Sequence, residues 1–144
     1  MDINQAGIDL IKSCEGCRLE AYPDPGTGGD PWTIGYGHTG GIDKGMTITQ
    51  EQADEFLVSD IAIVAGGVDN LVTFDLTPNQ FAAIVCFAYN VGLDNLAKST
   101  LLRCVNAGHP QDAAQEFLKW DRAAGIVMAG LTARRQAERQ LFLS

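Results

Sequence analysis

Glu15, Asp24 and Thr33 are the residues whose types and spacing could do chemistry. Cleaving an acetal such as a glycosidic bond needs an acid to protonate the leaving oxygen and a carboxylate facing the other side of the ring. Where that second group activates water, the two carboxyls stand roughly 6.5–9.5 Å apart. Glu15 falls where a helix should end, at the negative pole of the helix dipole and beside an apolar stripe, and both disfavour its charged form. Asp24, in a glycine-rich solvated turn, should stay ionised. Two environments would then give two roles. By spacing alone, the same pair also reads as a solvated helix terminus and an Asx-turn, so the elements around it must decide.

The first helix is marked by Asn4 as N-cap and by Ile3 and Ile8 at the staple positions. Gly7, Leu10, Ile11 and Cys14 form its expected inward stripe, and Gly16 its stop. Between Leu19 and Met46 glycines and prolines crowd the chain, and Trp32-Thr33-Ile34 with Tyr36 fits a small hairpin that Thr33 opens. No phosphate-loop or dinucleotide fingerprint is present. Helices then dominate. Thr49 and Gln52 form a capping box ahead of an apolar face of Ala53, Phe56, Leu57, Ile61 and Val64. Thr77, Pro78 and Gln80 make a stronger start, with Leu76 and Phe81 as staple. The run Phe81–Val91 is apolar all round except at Asn90, which predicts a buried central helix ended by Gly92. Shorter helices are expected around Thr100–Ala107, Pro110–Trp120 and Leu131–Leu143. The pattern is α+β and mostly helical. A small β-hairpin lobe with its connecting helix covers about 15–65, beside a helical lobe of 66–144 plus the first helix.

Asp60 falls on the apolar face of its helix, where a carboxylate needs a partner. His38, leading out of the hairpin, is the candidate. Cys14 and Cys17 form a Cys-x-x-Cys, but Cys86 and Cys104 are too far apart for a second zinc pair, and Cys86 lies in the apolar run. Four reduced structural thiols are the expectation. A formal charge of −8 argues against nucleic acid as a partner. No stretch is apolar enough for a membrane span, and the acidic start does not read as a signal peptide. Synthesis in the cytoplasm is therefore expected, with action outside needing another route.

Glu15-Gly16, Ala21-Tyr22-Pro23-Asp24 and Thr33-Ile34-Gly35-Tyr36-Gly37-His38-Thr39 together resemble the active-site segment of the phage-type lysozymes, glycoside hydrolase family 24. The likeness continues in order through Gln52-Ala53, Asp60, Phe87-Ala88-Tyr89-Asn90-Val91-Gly92, Ser99-Thr100-Leu101-Leu102, Gly130-Leu131, Arg134-Arg135 and Glu138. It implies a lysozyme-like fold and an endo-acting, inverting muramidase without metal or cofactor. Its substrate would be bacterial peptidoglycan, cut between N-acetylmuramic acid and N-acetylglucosamine. The resemblance makes Glu15 the general acid, Asp24 the carboxylate that orients or activates water, and Thr33 the hydroxyl beside that water. Tyr89, Asn90 and Ser99 would contact the glycan, and His38–Asp60 would be structural. A phage or prophage would use such a protein for lysis, as a monomer held in the cytoplasm until a holin opens a path to the cell wall. One departure stands out: eight residues separate Asp24 from Thr33, where the family usually has five. The extra length, Gly26 to Pro31, makes Asp30 the alternative second carboxylate, with Asp24 favoured by its turn. Arg134 and Arg135 read either as a cation beside Glu15 or as a solvated surface pair. Trp32 and Trp120 could stack on sugars, core packing being the better use of Trp120. The acidic charge sits awkwardly with an anionic wall polymer. A binding module that keeps the cleft without hydrolysis is the alternative function.

Overall fold

The structure, a computed structural model, describes residues 1–144 and divides into two compact units. One comprises Met1–Ile11 and Ile63–Ser144; the other is Lys12–Ala62. Helices α1 (Gln5–Glu15) and α2 (Gln50–Leu71) each contribute residues to both.

The smaller unit is built on an antiparallel pair, β1 (Arg18–Tyr22) and β2 (Thr33–Gly35). Arg18 lies opposite Gly35 and Tyr22 opposite Thr33, so β1 carries extra residues between these pairs and is bulged. The segment around Met46–Ile48 adds a third edge, through Ala21 N–H to Met46 O at 2.9 Å and Ile48 N–H to Leu19 O at 2.9 Å. Beneath lie Ile34, Ile42, Ala53, Leu57 and Ile61, all buried. The α2 start is the expected capping box. Gln52 N–H donates to Thr49 Oγ1 at 3.1 Å, and Thr49 N–H to Gln52 Oε1 at 2.9 Å.

The larger unit surrounds α3 (Pro78–Val91), whose residues Phe81 to Ala88 are all buried. Thr77 caps it with a complete capping box, and Gly92 N–H closes it onto Ala88 O at 2.8 Å. Helices α4 (Leu93–Lys98), α5 (Thr100–Asn106), α6 (Pro110–Phe117) and α7 (Ala129–Leu143) complete the unit, with α7 packed on α3. A short hairpin, β3 (Arg122–Ala123) and β4 (Ile126–Val127), precedes α7. The sequence pattern did not reveal α4 or this hairpin. Trp120 meets the ring of Phe87 edge-on at 5.5 Å, the core use expected of it.

The first helix begins as its sequence directs, with Asn4 Oδ1 accepting from Gly7 N–H at 3.0 Å. The expected stripe holds at Gly7 and Ile11, which are buried, and fails at Cys14, which is exposed. Cys14 lies in the last turn of α1, beyond Ile11, where the part of the helix that belongs to the larger unit ends. All four cysteines are free thiols, and only Cys86 is buried.

Gly7 is where α1 and α3 approach closely. A Cβ there would stand 2.7 Å from Ile3 Cδ1 and 2.8 Å from Ala82 Cβ, and the latter belongs to a buried helix that cannot yield. Gly7→Ala gains about 1 kcal/mol of helix propensity but overpacks the contact by roughly 1–3 kcal/mol. A net loss of stability, read as a lower urea midpoint at unchanged slope, is the expected result.

Candidate active site

The helix that presents Glu15 ends immediately after it. Gly16 adopts φ +65° and its N–H returns to Lys12 O at 3.0 Å, a left-handed stop that a β-carbon would strain. The half-buried Glu15 side chain lies on the tight turn that follows β2. At Gly37, with φ +82°, a Cβ would stand 3.1 Å from Glu15 Oε2. The carboxyl thus rests against a stretch of backbone that only glycine leaves open. Beside it, Tyr22 has its phenol pushed up from the ordinary value, first by burial and then by the Glu15 charge, against the pull of Arg18.

The turn carrying Gly37 is closed by Ile34 N–H to His38 O and His38 N–H to Ile34 O, both 2.9 Å. His38 anchors it further. Its Nδ1 lies 2.8 Å from Asp60 Oδ2, its Nε2 3.1 Å from Gly40 O, and its ring stacks on Phe56 with centroids 4.2 Å apart. The expected His38–Asp60 pair is present and ties the turn to α2.

Asp24 is half-buried, and its Oδ2 accepts from Gly26 N–H at 3.0 Å and Thr27 N–H at 3.1 Å. Its backbone closes the same loop, through Gly28 N–H to Asp24 O at 2.8 Å and Asp24 N–H to Gly29 O at 2.9 Å. The extra residues between Asp24 and Thr33 therefore fold back on Asp24 as a self-contained loop. Tyr22, two positions before Asp24, is the register partner of Thr33. Asp30 is exposed, and it is its backbone carbonyl that takes a bond, from Thr27 Oγ1 at 2.6 Å. Thr33 Oγ1 reaches Pro31 O at 3.4 Å. Trp32 is half-buried.

Tyr89, Asn90 and Ser99 lie in the larger unit. Asn90 is exposed, its Oδ1 accepting from Arg135 Nη2 at 2.7 Å, which leaves its amide N–H groups for other partners. Tyr89 is half-buried. Ser99 is buried, and its hydroxyl donates to Leu96 O at 2.7 Å and accepts from Leu102 N–H at 3.0 Å. Expected to face sugar, Ser99 instead caps α5, with its hydroxyl committed at both roles. Arg134 and Arg135 correct a second expectation, for neither is a solvated surface residue. Both are buried around Glu138, Arg134 Nε at 3.2 Å from Oε2 and Arg135 Nε at 2.8 Å from Oε1. Arg134 also donates to Cys86 O at 3.1 Å, joining α7 to α3. Burial pushes the Glu138 carboxyl up, while Arg135 and then Arg134 pull it down. Sequence reasoning gave Glu138 no role. The signal was its position three and four residues after two arginines, on a helix with few apolar residues to bury. No group of three or more His, Cys, Asp or Glu side chains is arranged to hold a metal ion.

The sequence profile of the phage lysozyme family matches residues 12–138. The endolysin of Bacillus phage B103 is 50% identical over 145 residues, covering 100% of this chain and 55% of that protein. The chain thus spans about half the length of that relative, as it does of the 44% identical endolysin of Bacillus phage PZA, at 56%. The endolysin of Salmonella phage P22 is 42% identical over 149 residues, covering 100% of this chain and 99% of its own length. Among solved structures, the muramidase domain of SpmX from Asticaccaulis excentricus superposes with a TM-score of 0.92 at 41% identity. That match covers 99% of this chain and 98% of that one.

Two substitutions test the supports of the site. Glu138→Ala strands two buried guanidinium groups and is expected to cost roughly 3–5 kcal/mol, measured by denaturant unfolding. Asp60→Ala removes the acceptor that orients His38 and is expected to cost about 1.5–3 kcal/mol. Unfolding should show that loss, and hydrogen exchange should show faster opening of residues 34–38 than of α3.

Proposed function

Because the chain belongs to the phage lysozyme family, we propose that it hydrolyses the β-1,4 bond between N-acetylmuramic acid and N-acetylglucosamine within peptidoglycan strands, as an endo-acting muramidase. The observation that carries the reading is the seating of Glu15. A carboxyl ends the helix against the backbone of Gly37, where a β-carbon would stand 3.1 Å from Oε2, so the turn keeps bare backbone opposite an acid.

In the proposed reaction Glu15 gives its proton to the glycosidic oxygen as the bond to the anomeric carbon breaks. A water on the opposite face forms the new carbon–oxygen bond and passes a proton to Asp24. Thr33 hydrogen-bonds that water. The backbone donors from Gly26 and Thr27 hold the Asp24 carboxylate in place, which supports it over the exposed Asp30. A water-activating carboxylate leads to inversion at the anomeric carbon. Tyr89 and the free amide donors of Asn90 would contact sugar hydroxyls or N-acetyl groups. Ser99, held by its own cap, is left out. No helix is long and apolar enough to cross a membrane. We place synthesis in the cytoplasm of a phage-infected host, and action on the cell wall, as a monomer, after a holin has breached the membrane.

Glu15→Gln should lower the release of reducing ends from purified peptidoglycan by at least about 10³-fold while the fold and binding to sacculi persist. Wild-type activity in the variant would remove Glu15 from the mechanism. Failure of the wild-type protein to release reducing ends, with sacculi still bound, would leave a binding module in place of the hydrolase. Proton NMR of the first anomer formed reports inversion or retention.

A further inference from the structure

Arg18 is an exposed cation with a fixed position and no anionic partner. Its guanidinium carbon lies 4.7 Å from the centroid of the Tyr22 ring, a stacking that holds one face and leaves the N–H edges outward. No carboxylate of the chain pairs with it, although acidic residues outnumber basic ones by 18 to 10. Lys12, by contrast, lies 4.0 Å from Asp54 Oδ1 and 5.6 Å from the Tyr36 ring centroid.

Its place in the fold is specific. Arg18 and Tyr22 are the two ends of β1, and their stacking across the bulge puts both on one side of the strand. Their register partners are Gly35 and Thr33. Opposite Arg18 there is no side chain, and opposite Tyr22 is the hydroxyl assigned to the attacking water. Arg18 is also three residues from Glu15, and the charges of both act on the Tyr22 phenol. A planar, outward-facing guanidinium therefore stands one side chain away from the reacting groups.

We propose that Arg18, held on the Tyr22 ring, is a specificity-determining residue that binds a carboxylate of the substrate. The inference rests on the muramidase reading and deepens it. Peptidoglycan bears carboxylates on its stem peptides, and strands stripped of peptide expose the lactyl carboxylate of muramic acid. Both offer the two-oxygen edge that a guanidinium binds bidentately. A chain of net charge −8 repels such a polymer at long range. A local unpaired cation beside the site offsets that repulsion where the strand is gripped.

The test measures KM and kcat of the full chain on three substrates: native peptidoglycan, peptidoglycan with carboxylates amidated by carbodiimide and ammonia, and amidase-stripped strands. Arg18→Gln should raise KM on native peptidoglycan about five- to tenfold relative to wild type, with kcat within about twofold. On the amidated polymer the two proteins should be equal. A penalty confined to native material assigns the stem-peptide carboxylates alone, and one also seen on stripped strands shows that the freed lactyl carboxylate is bound at the same place. Tyr22→Phe, which keeps the ring, should preserve the native-to-amidated ratio, and Tyr22→Leu should lose it. Cosedimentation with native and amidated sacculi, in a Glu15→Gln background, reads the same preference without turnover. An equal loss on native and amidated substrate, or no loss at all, overturns the proposal. Absence of hydrolysis by wild type would instead sink the muramidase reading, with cosedimentation still deciding the role of Arg18.

Discussion

The smaller unit depends on one close approach, that of the Glu15 carboxyl to the backbone at Gly37. Ordinary stability would put a cation at the C-terminal end of a helix. For the carboxyl to reach the β-turn, the helix must stop at once, which Gly16 does at φ +65°. The turn must also offer bare backbone, which Gly37 does at φ +82°. The turn must then be held still, and the residue after Gly37 does this. His38 is bonded to Asp60 and to Gly40 and stacked on Phe56. The His38–Asp60 hydrogen bond, which looks remote from chemistry, thus fixes the floor on which the acid rests.

A different device holds Asp24. The loop after it is longer than the family pattern, and such a loop could have carried the carboxylate away or replaced it with Asp30. The loop instead folds back on Asp24, through side-chain and backbone bonds with Gly26 to Gly29. The Asx-turn, which on the bare sequence argued against a catalytic pair, is compatible with one. Amide donors that form such a turn also hold a carboxylate in a fixed direction, which a water-orienting group needs.

Legibility in the sequence followed the locality of the interactions. The helix starts at Asn4, Thr49 and Thr77 were readable because a cap and its donor lie three residues apart. The buried run Phe81–Ala88 was readable because a helix apolar on all sides has nowhere else to go. Helix α4 was not, since its six residues carry no side-chain cap and follow Gly92 without a break. The hairpin of β3 and β4 was hidden for a similar reason. It has two residues per strand and turns on Ala124 and Gly125, both at positive φ, and alanine is no signal for that region. Within the candidate site, residue types pointed to Glu15, Asp24 and Thr33. Whether a polar residue faces outward was beyond their reach. Ser99 turned inward to its own helix cap, and Arg134 and Arg135 turned inward to Glu138.

That inward turn has a consequence for the charge of the molecule. Arginines committed to a buried carboxylate cannot attract an anionic polymer, and the long-range field remains that of an acidic protein. Arg135 also engages Asn90, an exposed residue at the end of α3. By occupying the Asn90 carbonyl oxygen, Arg135 fixes the amide flip so that its N–H groups point away from the cluster. A buried ion pair is weak support for stability, since apolar residues of the same volume often serve as well. Here it sets the orientation of a surface donor, which an apolar core could not do. Charge in this chain is thus used locally: buried where it orients a side chain, and left unpaired on Tyr22 where it can meet a ligand.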